Sequence, residues 1–210
     1  MQAHDRTTYD VKKERRDLYA PVPGDFRLVD VPEMGFLMTD GHGDPNTSAA
    51  YRAAVEALYA ASYAVRAMVK TTLGRVHTVA PLEGLWSAAD LAVFRTRDKD
   101  ALEWTLMIAQ PHWAPVELVD DALAAVRERK QLPALVLVRS ERYAEGRSVQ
   151  ILHVGSYDDE GPTLARLHDE FLPAHGLAPA GRHHEIYLSD ARKTDPARLR
   201  TILRQPVAAC

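Results

Sequence analysis

The chain has 210 residues, enough for one large domain or two small fused ones. Its 26 basic and 29 acidic side chains give a net charge of -3, which argues against a nucleic-acid-binding surface. A single cysteine, Cys210, excludes a disulfide framework and a cysteine-ligated zinc site. No segment reaches the roughly 18 apolar residues of a membrane helix, so we expect a cytoplasmic protein without nucleic-acid or membrane partners.

Residues 1–24 form a charged lead-in that ends in the cluster "PVPG" and lacks the apolar core of a signal peptide. We expect its charges, "KKERR" among them, to face solvent, although the segment could pack onto the domain. Two short apolar runs follow, Phe26–Val31 and Phe36–Thr39, with turn residues between and after them. This pattern predicts a hairpin or a pair of strands.

A long helix is predicted next, because apolar residues recur at helical spacing from Tyr51 to Val69 after the possible caps "NTS". Two strand candidates follow, "APLEGLWSA" and "EWTLMIAQP", joined by the charged connection "DLAVFRTRDKD". A second helix, "PVELVDDALAAVRERK", begins at Pro115 and ends in basic residues, both of which suit those helix ends.

The same order of elements then returns in the second half. It gives a strand, a turn at Glu145-Gly146, a second strand, the helix "TLARLHDEFLPAHG" ended by Gly176, and the closing strands "HHEIYLSDA" and "LRTILRQPV". Three short matches occur in the same order: "GHGDP" with "GSYDDEGP", "LEGLWSAAD" with "HEIYLSDAR", and "MIAQP" with "ILRQP". They predict a duplicated strand-strand-helix-strand-strand unit.

We therefore expect an α+β fold in which residues 25–210 form one domain, with repeats of about 25–132 and 133–207. The two units would pair into one antiparallel sheet around a pseudo-twofold axis. Helices would cover one face of this sheet, and the other face would form a ligand cleft.

The strand near residue 185 carries the polar side chains that point to a ligand pocket. Alternate residues of a strand share a face, so His183, Glu185 and Tyr187 would point one way, and His184 and Ile186 toward the core. A carboxylate beside a phenol and an imidazole is typical of a ligand site. The alternative is a strand at the rim of the sheet whose Glu and Tyr simply face water.

The repeat adds a second acid, since Glu83 occupies the matching place in the first half, although it could be a solvated turn residue. Three tryptophans, Trp86, Trp104 and Trp113, lie on or beside candidate strands, with Met107 in the same region. Aromatic side chains near an acid can hold a flat, cationic or polarised ligand. The alternative is that these large residues are ordinary core.

Other catalytic patterns are weaker in this sequence. Adjacent histidines on a flat strand cannot both ligate one metal, and no His-Glu spacing matches a helical metal motif. No Gly-x-Ser-x-Gly nucleophile elbow is present. We expect neither a metal nor a cofactor.

From about Tyr9 to Val207 the chain resembles the stand-alone GyrI-like small-molecule-binding proteins, through motifs such as "LVDVPEMGFLMTDGHGDPNTS", "PLEGLWSA" and "HHEIYLSDARKTDPARLRTILRQPV". This family includes effector domains of multidrug-responsive transcription activators and a gyrase inhibitor. The resemblance implies the duplicated fold with a cleft between the halves, in which Glu185 matches a glutamate that meets cationic lipophilic ligands in the drug-sensing members.

Members without a DNA-binding domain include cyclopropanoid cyclopropyl hydrolases, which add water to the cyclopropane of DNA-alkylating natural products. The resemblance implies Glu185 as the base, Tyr187 or His183 as the hydrogen-bond donor, and Trp86 and Trp113 as the clamp on a flat aromatic ligand. Two alternatives stay open: a protein that binds or sequesters lipophilic, often cationic molecules without turnover, and a gyrase-regulating partner. Either a monomer or a homodimer is compatible with this reading.

Overall fold

The computed structural model of the chain describes residues 8–87 and 99–210, so most of the charged connection "DLAVFRTRDKD" lies outside the described residues. The helices are α1 (Val11–Glu14), α2 (Arg16–Tyr19), α3 (Ala49–Leu73), α4 (Val116–Arg129), α5 (Gly161–Ala165) and α6 (Leu172–Ala174), with a π-helical segment, Arg166–Phe171, between the last two. The strands are β1 (Arg27–Val31), β2 (Met34–His42), β3 (Leu82–Ser87), β4 (Glu103–Ala109), β5 (Arg139–Tyr143), β6 (Gly146–Val154), β7 (Leu177–Pro179), β8 (His183–Tyr187) and β9 (Arg200–Ala209).

Helix α3 begins and ends where its sequence provides caps. The Ser48 hydroxyl accepts a hydrogen bond from the Tyr51 backbone N–H at 3.2 Å, and Gly74 ends the helix with a φ of +66°, which glycine adopts without steric cost. Its buried stripe, which includes Leu58 and Val65, packs into the main core. The predicted long helix is confirmed.

The described strands form one antiparallel sheet in the order β1-β6-β9-β8-β3-β4-β2-β5, with β7 added beside β9. If each strand of the first repeat is exchanged with its counterpart in the second, β1 with β5, β2 with β6, β3 with β8 and β4 with β9, the same order is read backwards. The pseudo-twofold axis therefore passes between β3 and β8. This confirms the predicted α+β fold with a duplicated antiparallel sheet.

The two strands predicted in the first repeat as a hairpin or a strand pair are present, but they do not pair with each other: β1 pairs with β6 and β2 with β5, each with a strand of the other repeat. Val31 lies opposite Gly146, and Met34 lies opposite Tyr143. The three residues from Val31 to Met34 in the first repeat thus match the three residues from Gly146 back to Tyr143 in the second. The two strand pairs are thus one bent ladder in continuous register. This ladder links the two edges of the sheet and makes the repeats interdependent.

The longer helices cover one face of the sheet, which we call the helix face. Tyr51 of α3 stacks on Trp86 of β3 with ring centroids 6.3 Å apart. In the second repeat, Leu167 packs in a small core with Val149 of β6 and Val207 of β9, which the strand pairing places on the same face as Trp86. The prediction that the long helices share one face is therefore confirmed.

The described part of the lead-in, residues 8–24, packs against the opposite face of the sheet. Its charged residues Lys12 and Arg16 are exposed, as expected, but Leu18 and Tyr19 are buried. The Tyr19 hydroxyl donates a hydrogen bond of 2.8 Å to Glu83 in the middle of the sheet. Residues 8–24 are therefore part of the folded unit, although the charged residues around Leu18 and Tyr19 gave no sign of this in the sequence. Within the described residues, no helix combines the length and apolar character required to cross a bilayer.

Gly41 of β2 is required by close packing, because a Cβ atom at this position would overlap the ring of Trp104 on the neighbouring strand. Trp104 is 3% exposed and packs edge-on against Tyr51, so an added Cβ would displace the ring from this packed position. We expect Gly41→Ala to lower the free energy of unfolding by about 1–3 kcal/mol, measured by urea denaturation. The control is Gly35→Ala on the same strand, where an added Cβ meets nothing within 4 Å and stability should be unchanged or slightly higher.

Candidate functional site

The candidate site lies on the helix face where β3 and β8 pair across the pseudo-twofold axis. Gly84 lies opposite Glu185 and Trp86 opposite His183, so the side chains of His183, Glu185 and Tyr187 share this face with Trp86. A Cβ on Gly84 would lie 3.0 Å from Nε1 of Trp86 and 3.3 Å from the Tyr187 hydroxyl. The glycine thus leaves the space in which these two side chains meet.

A chain of hydrogen bonds fixes one oxygen of Glu185. The Tyr187 hydroxyl donates to Oε2 of Glu185 at 2.8 Å and accepts from Nε1–H of Trp86 at 3.2 Å. The other oxygen, Oε1, lies 3.6 Å from Nε2 of His183. The Glu185 side chain is 17% exposed, so the carboxyl is largely withdrawn from solvent yet reachable from it.

Aromatic rings surround this carboxyl. Tyr51 of α3 stacks on Trp86, and Tyr157 lies edge-on to Tyr187 with ring centroids 5.7 Å apart. We call Glu185 and the four rings of Tyr51, Trp86, Tyr157 and Tyr187 the aromatic hollow. The sequence pointed to Trp86 and Tyr187, but it presented Tyr51 as one of many apolar helix positions and Tyr157 as part of a turn.

Burial changes the protonation of the two ionisable groups at the bottom of the hollow. It raises the pKa of Glu185 to about 7, although the hydrogen bond from Tyr187 acts in the opposite direction. Burial also lowers the pKa of His183 to about 3, and both ring nitrogens lack a hydrogen-bond partner within the described residues. A carboxyl that titrates near neutral pH therefore lies beside a neutral imidazole.

The structure does not bring Glu83 into this site, contrary to the expectation that each repeat supplies one acid to a shared cleft. The strand register places Gly84, not Glu83, opposite Glu185, so the two glutamates lie on opposite faces of the sheet. Glu83 is fully buried, where it accepts a hydrogen bond from Tyr19 and lies 3.0 Å from Nε2 of His184.

Glu83 belongs to a buried cluster of charged groups on the opposite face. Nδ1 of His184 lies 3.0 Å from both carboxylate oxygens of Glu145, and Arg204 donates to Glu145 at 3.1 Å and to the Leu18 carbonyl at 2.8 Å. Burial by itself would lower the pKa of His184, but Glu145 and Glu83 outweigh it and raise that pKa. The cluster therefore pairs two carboxylates with two cations, as buried charges require.

Met107 and Trp113 also lie away from the aromatic hollow. Met107 pairs with Glu83 across β4 and β3 and is buried on the opposite face. Trp113 packs against Tyr9, with the Arg75 guanidinium 3.9 Å from the centre of its ring. Arg75 follows the carboxyl end of α3, whereas Tyr51 is at its amino end, about 35 Å away at 1.5 Å per residue.

Trp104 lies behind the hollow, in edge-on contact with Tyr51 at 5.3 Å. It also lines two cavities of about 490 Å³ and 580 Å³. The first is mostly apolar, with Ala53 and Leu137 in its wall, and the second includes Arg139 and Arg182. Neither cavity includes Glu185. In the two described ranges of the chain, no group of three or more His, Cys, Asp or Glu side chains is arranged to hold a metal ion.

Comparisons with known proteins identify the family and the fold of the chain. The family model of the GyrI-like small molecule binding domain matches residues 24–208. A conserved protein from Listeria innocua is 38% identical in its crystal structure, with a TM-score of 0.86, and the match covers 96% of this chain and 100% of that one. A crystal structure described as a hydrolase from the same organism is 36% identical, with a TM-score of 0.84 and the same coverage.

A more distant similarity concerns the fold alone. The crystal structure of the C-terminal domain of EcmrR is 12% identical, with a TM-score of 0.56, and the match covers 89% of this chain and 98% of that one. Among curated proteins, none matches the chain significantly.

The two central glutamates should respond oppositely to neutralisation. Glu83→Gln leaves the buried His184 cation without one of its partners, and we expect a loss of about 3–5 kcal/mol in the free energy of unfolding. Glu185→Gln removes a carboxylate that the fold holds at a desolvation cost, so stability should stay the same or rise. Urea denaturation of both variants beside the wild type measures the contrast.

The effect of Glu185→Gln should depend on pH in a defined direction. A carboxyl with a raised folded-state pKa stabilises the fold at low pH, and this contribution is lost as pH rises from the ordinary value of 4.5 through about 7. The advantage of the variant should therefore grow over that range, by up to about 3 kcal/mol at 1.36 kcal/mol per pKa unit. An advantage that shrinks with rising pH would contradict the raised pKa.

Proposed function

The chain belongs to the family of GyrI-like small-molecule-binding domains, and we propose that it is a hydrolase that detoxifies genotoxic natural products by adding water to their electrophilic cyclopropane. The observation that carries the proposal is the carboxyl of Glu185 at the bottom of the aromatic hollow, whose pKa burial raises to about 7. The Listeria innocua relatives described as hydrolases, at 36% identity, support a catalytic role.

The proposed substrate is a flat molecule with a cyclopropane fused to a conjugated dienone. The oxygen of water bonds to a cyclopropane carbon, a ring carbon–carbon bond breaks, and its electron pair moves through the dienone to the carbonyl oxygen. The water loses one proton, and the carbonyl oxygen gains one to become a phenol. The product has no strained ring and no longer alkylates DNA.

Glu185 would take the proton from the attacking water. Its Oε2 is held by Tyr187, which leaves Oε1 available, and a pKa of about 7 is well suited to a general base near neutral pH. His183 is neutral, both of its ring nitrogens are unpartnered in the described structure, and its Nε2 lies 3.6 Å from Oε1, close enough for both groups to bond the same water. Because the Tyr187 hydroxyl donates its proton to Glu185, the proposed role of Tyr187 is to orient this base.

The rings of the hollow would hold the flat body of the substrate. Tyr51 and Trp86 are nearly parallel, with 21° between their planes, and Tyr157 is 38% exposed at the rim. Stacking on such rings favours a planar heteroaromatic ligand over an aliphatic one. Trp113, at the far end of α3, has no part in this binding mode.

The alternative is a binder that sequesters lipophilic cations without turnover. Its support is the same hollow, since a carboxylate among aromatic rings also attracts a cation. The amount of product formed per protein chain distinguishes the two functions. A binder saturates at one ligand per chain, whereas an enzyme releases more than one equivalent of ring-opened product.

Glu185→Gln provides the direct test of the proposed enzyme. We expect wild-type protein to convert many equivalents of a cyclopropane-bearing dienone to ring-opened product, measured by chromatography. The variant should be slower by about 100-fold or more, because glutamine cannot accept the proton of the attacking water. The control is Glu117→Gln, which neutralises an exposed acid on α4 and should retain full activity. Wild-type protein that binds one equivalent and forms no product would favour sequestration.

The pH dependence of kcat/KM tests the ionisation of the base. Activity requires the carboxylate form, so it should rise with pH and level off above about 7, the raised pKa of Glu185. Stopped-assay rates from about pH 5 to about pH 9 would define this limb. A profile that is flat across this range would contradict the role of Glu185 as the base.

A further inference from the structure

The proposed reaction needs a proton donor that the groups already described do not supply. The electron pair released by ring opening moves through the conjugated dienone, so the carbonyl oxygen that gains charge is remote from the carbon that water attacks. Tyr187 and His183 both contact Glu185, at 2.8 Å and 3.6 Å, and so lie at the end where water is activated. A separate acid must serve the carbonyl oxygen.

Glu160 is a buried carboxyl beside the hollow that no described interaction explains. It follows the 3-10 turn Tyr157–Asp159, and its backbone N–H donates to the Tyr157 carbonyl at 3.4 Å. It occupies the N-cap position of α5, yet its side chain makes no capping hydrogen bond. The residue is 5% exposed, and within the described structure its Oε1 has no hydrogen-bond partner.

The charges around Glu160 keep a proton on it. Burial is the largest influence and raises its pKa, and the negative charges of Glu185 and Asp158 raise it further. Lys99 acts in the opposite direction, but it is partly exposed and paired with Asp158 at 3.1 Å. The phenols that face this region, Tyr157 and Tyr187, have raised pKa values and stay neutral.

We propose that Glu160 is the general acid of this reaction, and that its buried, unpartnered carboxyl donates a proton to the carbonyl oxygen of the dienone as the cyclopropane opens. This inference rests on the proposed function. Two carboxyls whose surroundings favour different protonation states are a recurring way to divide acid and base roles. Glu185 and Glu160 divide these roles here. Burial raises the pKa of the Tyr157 and Tyr187 phenols, and the charges of both glutamates raise it further.

The proton balance closes over one turnover. Water gives one proton to Glu185 and its hydroxyl to the substrate, while Glu160 gives one proton to the oxygen that becomes the phenol. Glu160 is then ionised and Glu185 protonated. Transfer of one proton from Glu185 to Glu160, through solvent water, restores the starting state without any other reactant.

Glu160→Gln tests the assignment, because glutamine keeps the size and a hydrogen-bond donor but cannot transfer a proton. We expect kcat on a cyclopropane-bearing dienone to fall about 100-fold or more, with KM little changed. The wild-type pH profile should fall at high pH as Glu160 ionises, and this basic limb should disappear in the variant while the acidic limb remains. Asp159→Asn, which neutralises another exposed acid on the same turn, is the matched control and should retain kcat and the basic limb.

A second measurement does not depend on turnover. The infrared carbonyl band of a protonated carboxyl should be present in wild-type protein at about pH 8, where an ordinary glutamate is ionised, and absent in Glu160→Gln. Wild-type turnover with an unchanged kcat in Glu160→Gln, or no such band, would overturn the role of Glu160 and leave the hydrolase intact. Absence of wild-type turnover would instead overturn the proposed function, and the acid role with it.

Discussion

The register between β3 and β8 is the constraint on which the rest of the structure depends. By placing Gly84 opposite Glu185, it sends the two central glutamates to opposite faces of one sheet. Glu83 meets Tyr19 and His184 and is fully satisfied, whereas Glu185 receives a hydrogen bond from Tyr187 and is otherwise surrounded by rings. Of these two glutamates, Glu83 thereby has a structural role, and Glu185 has the chemical role that we propose.

The cost of withdrawing a carboxylate from water is met differently on the two faces. On the opposite face, Glu145 is compensated by His184 and Arg204, which lower its pKa to about 2 despite burial. On the helix face, burial prevails and raises the pKa of Glu185 to about 7. A group that binds a proton this readily at neutral pH is destabilising as a structural element but useful as a base, which is the pattern expected of a functional site.

Much of the fold was readable from the sequence because strand alternation and helix periodicity are local signals. The long helix after Ser48 and the shared face of His183, Glu185 and Tyr187 follow from them directly. Sequence alignment of the repeats equated Glu83 with Glu185, but a one-residue difference in register reverses the face of a strand residue. The turn residues between the first two apolar runs predict a hairpin or a strand pair, but they carry no information about the pairing of β1 with β6 and of β2 with β5 in the other repeat.

The walls of the hollow could not be predicted, because Tyr51 of α3 and Tyr157 of the turn before α5 are far apart in the sequence and meet only in the folded chain. The ionisation of Glu185 is the central claim, and its pKa can be measured by carbon NMR titration of protein labelled at glutamate side-chain carboxyls, with Glu185→Gln to assign the signal. We expect an apparent pKa of about 7. A value near the ordinary 4.5 would mean that the hollow does not hold this carboxyl away from water.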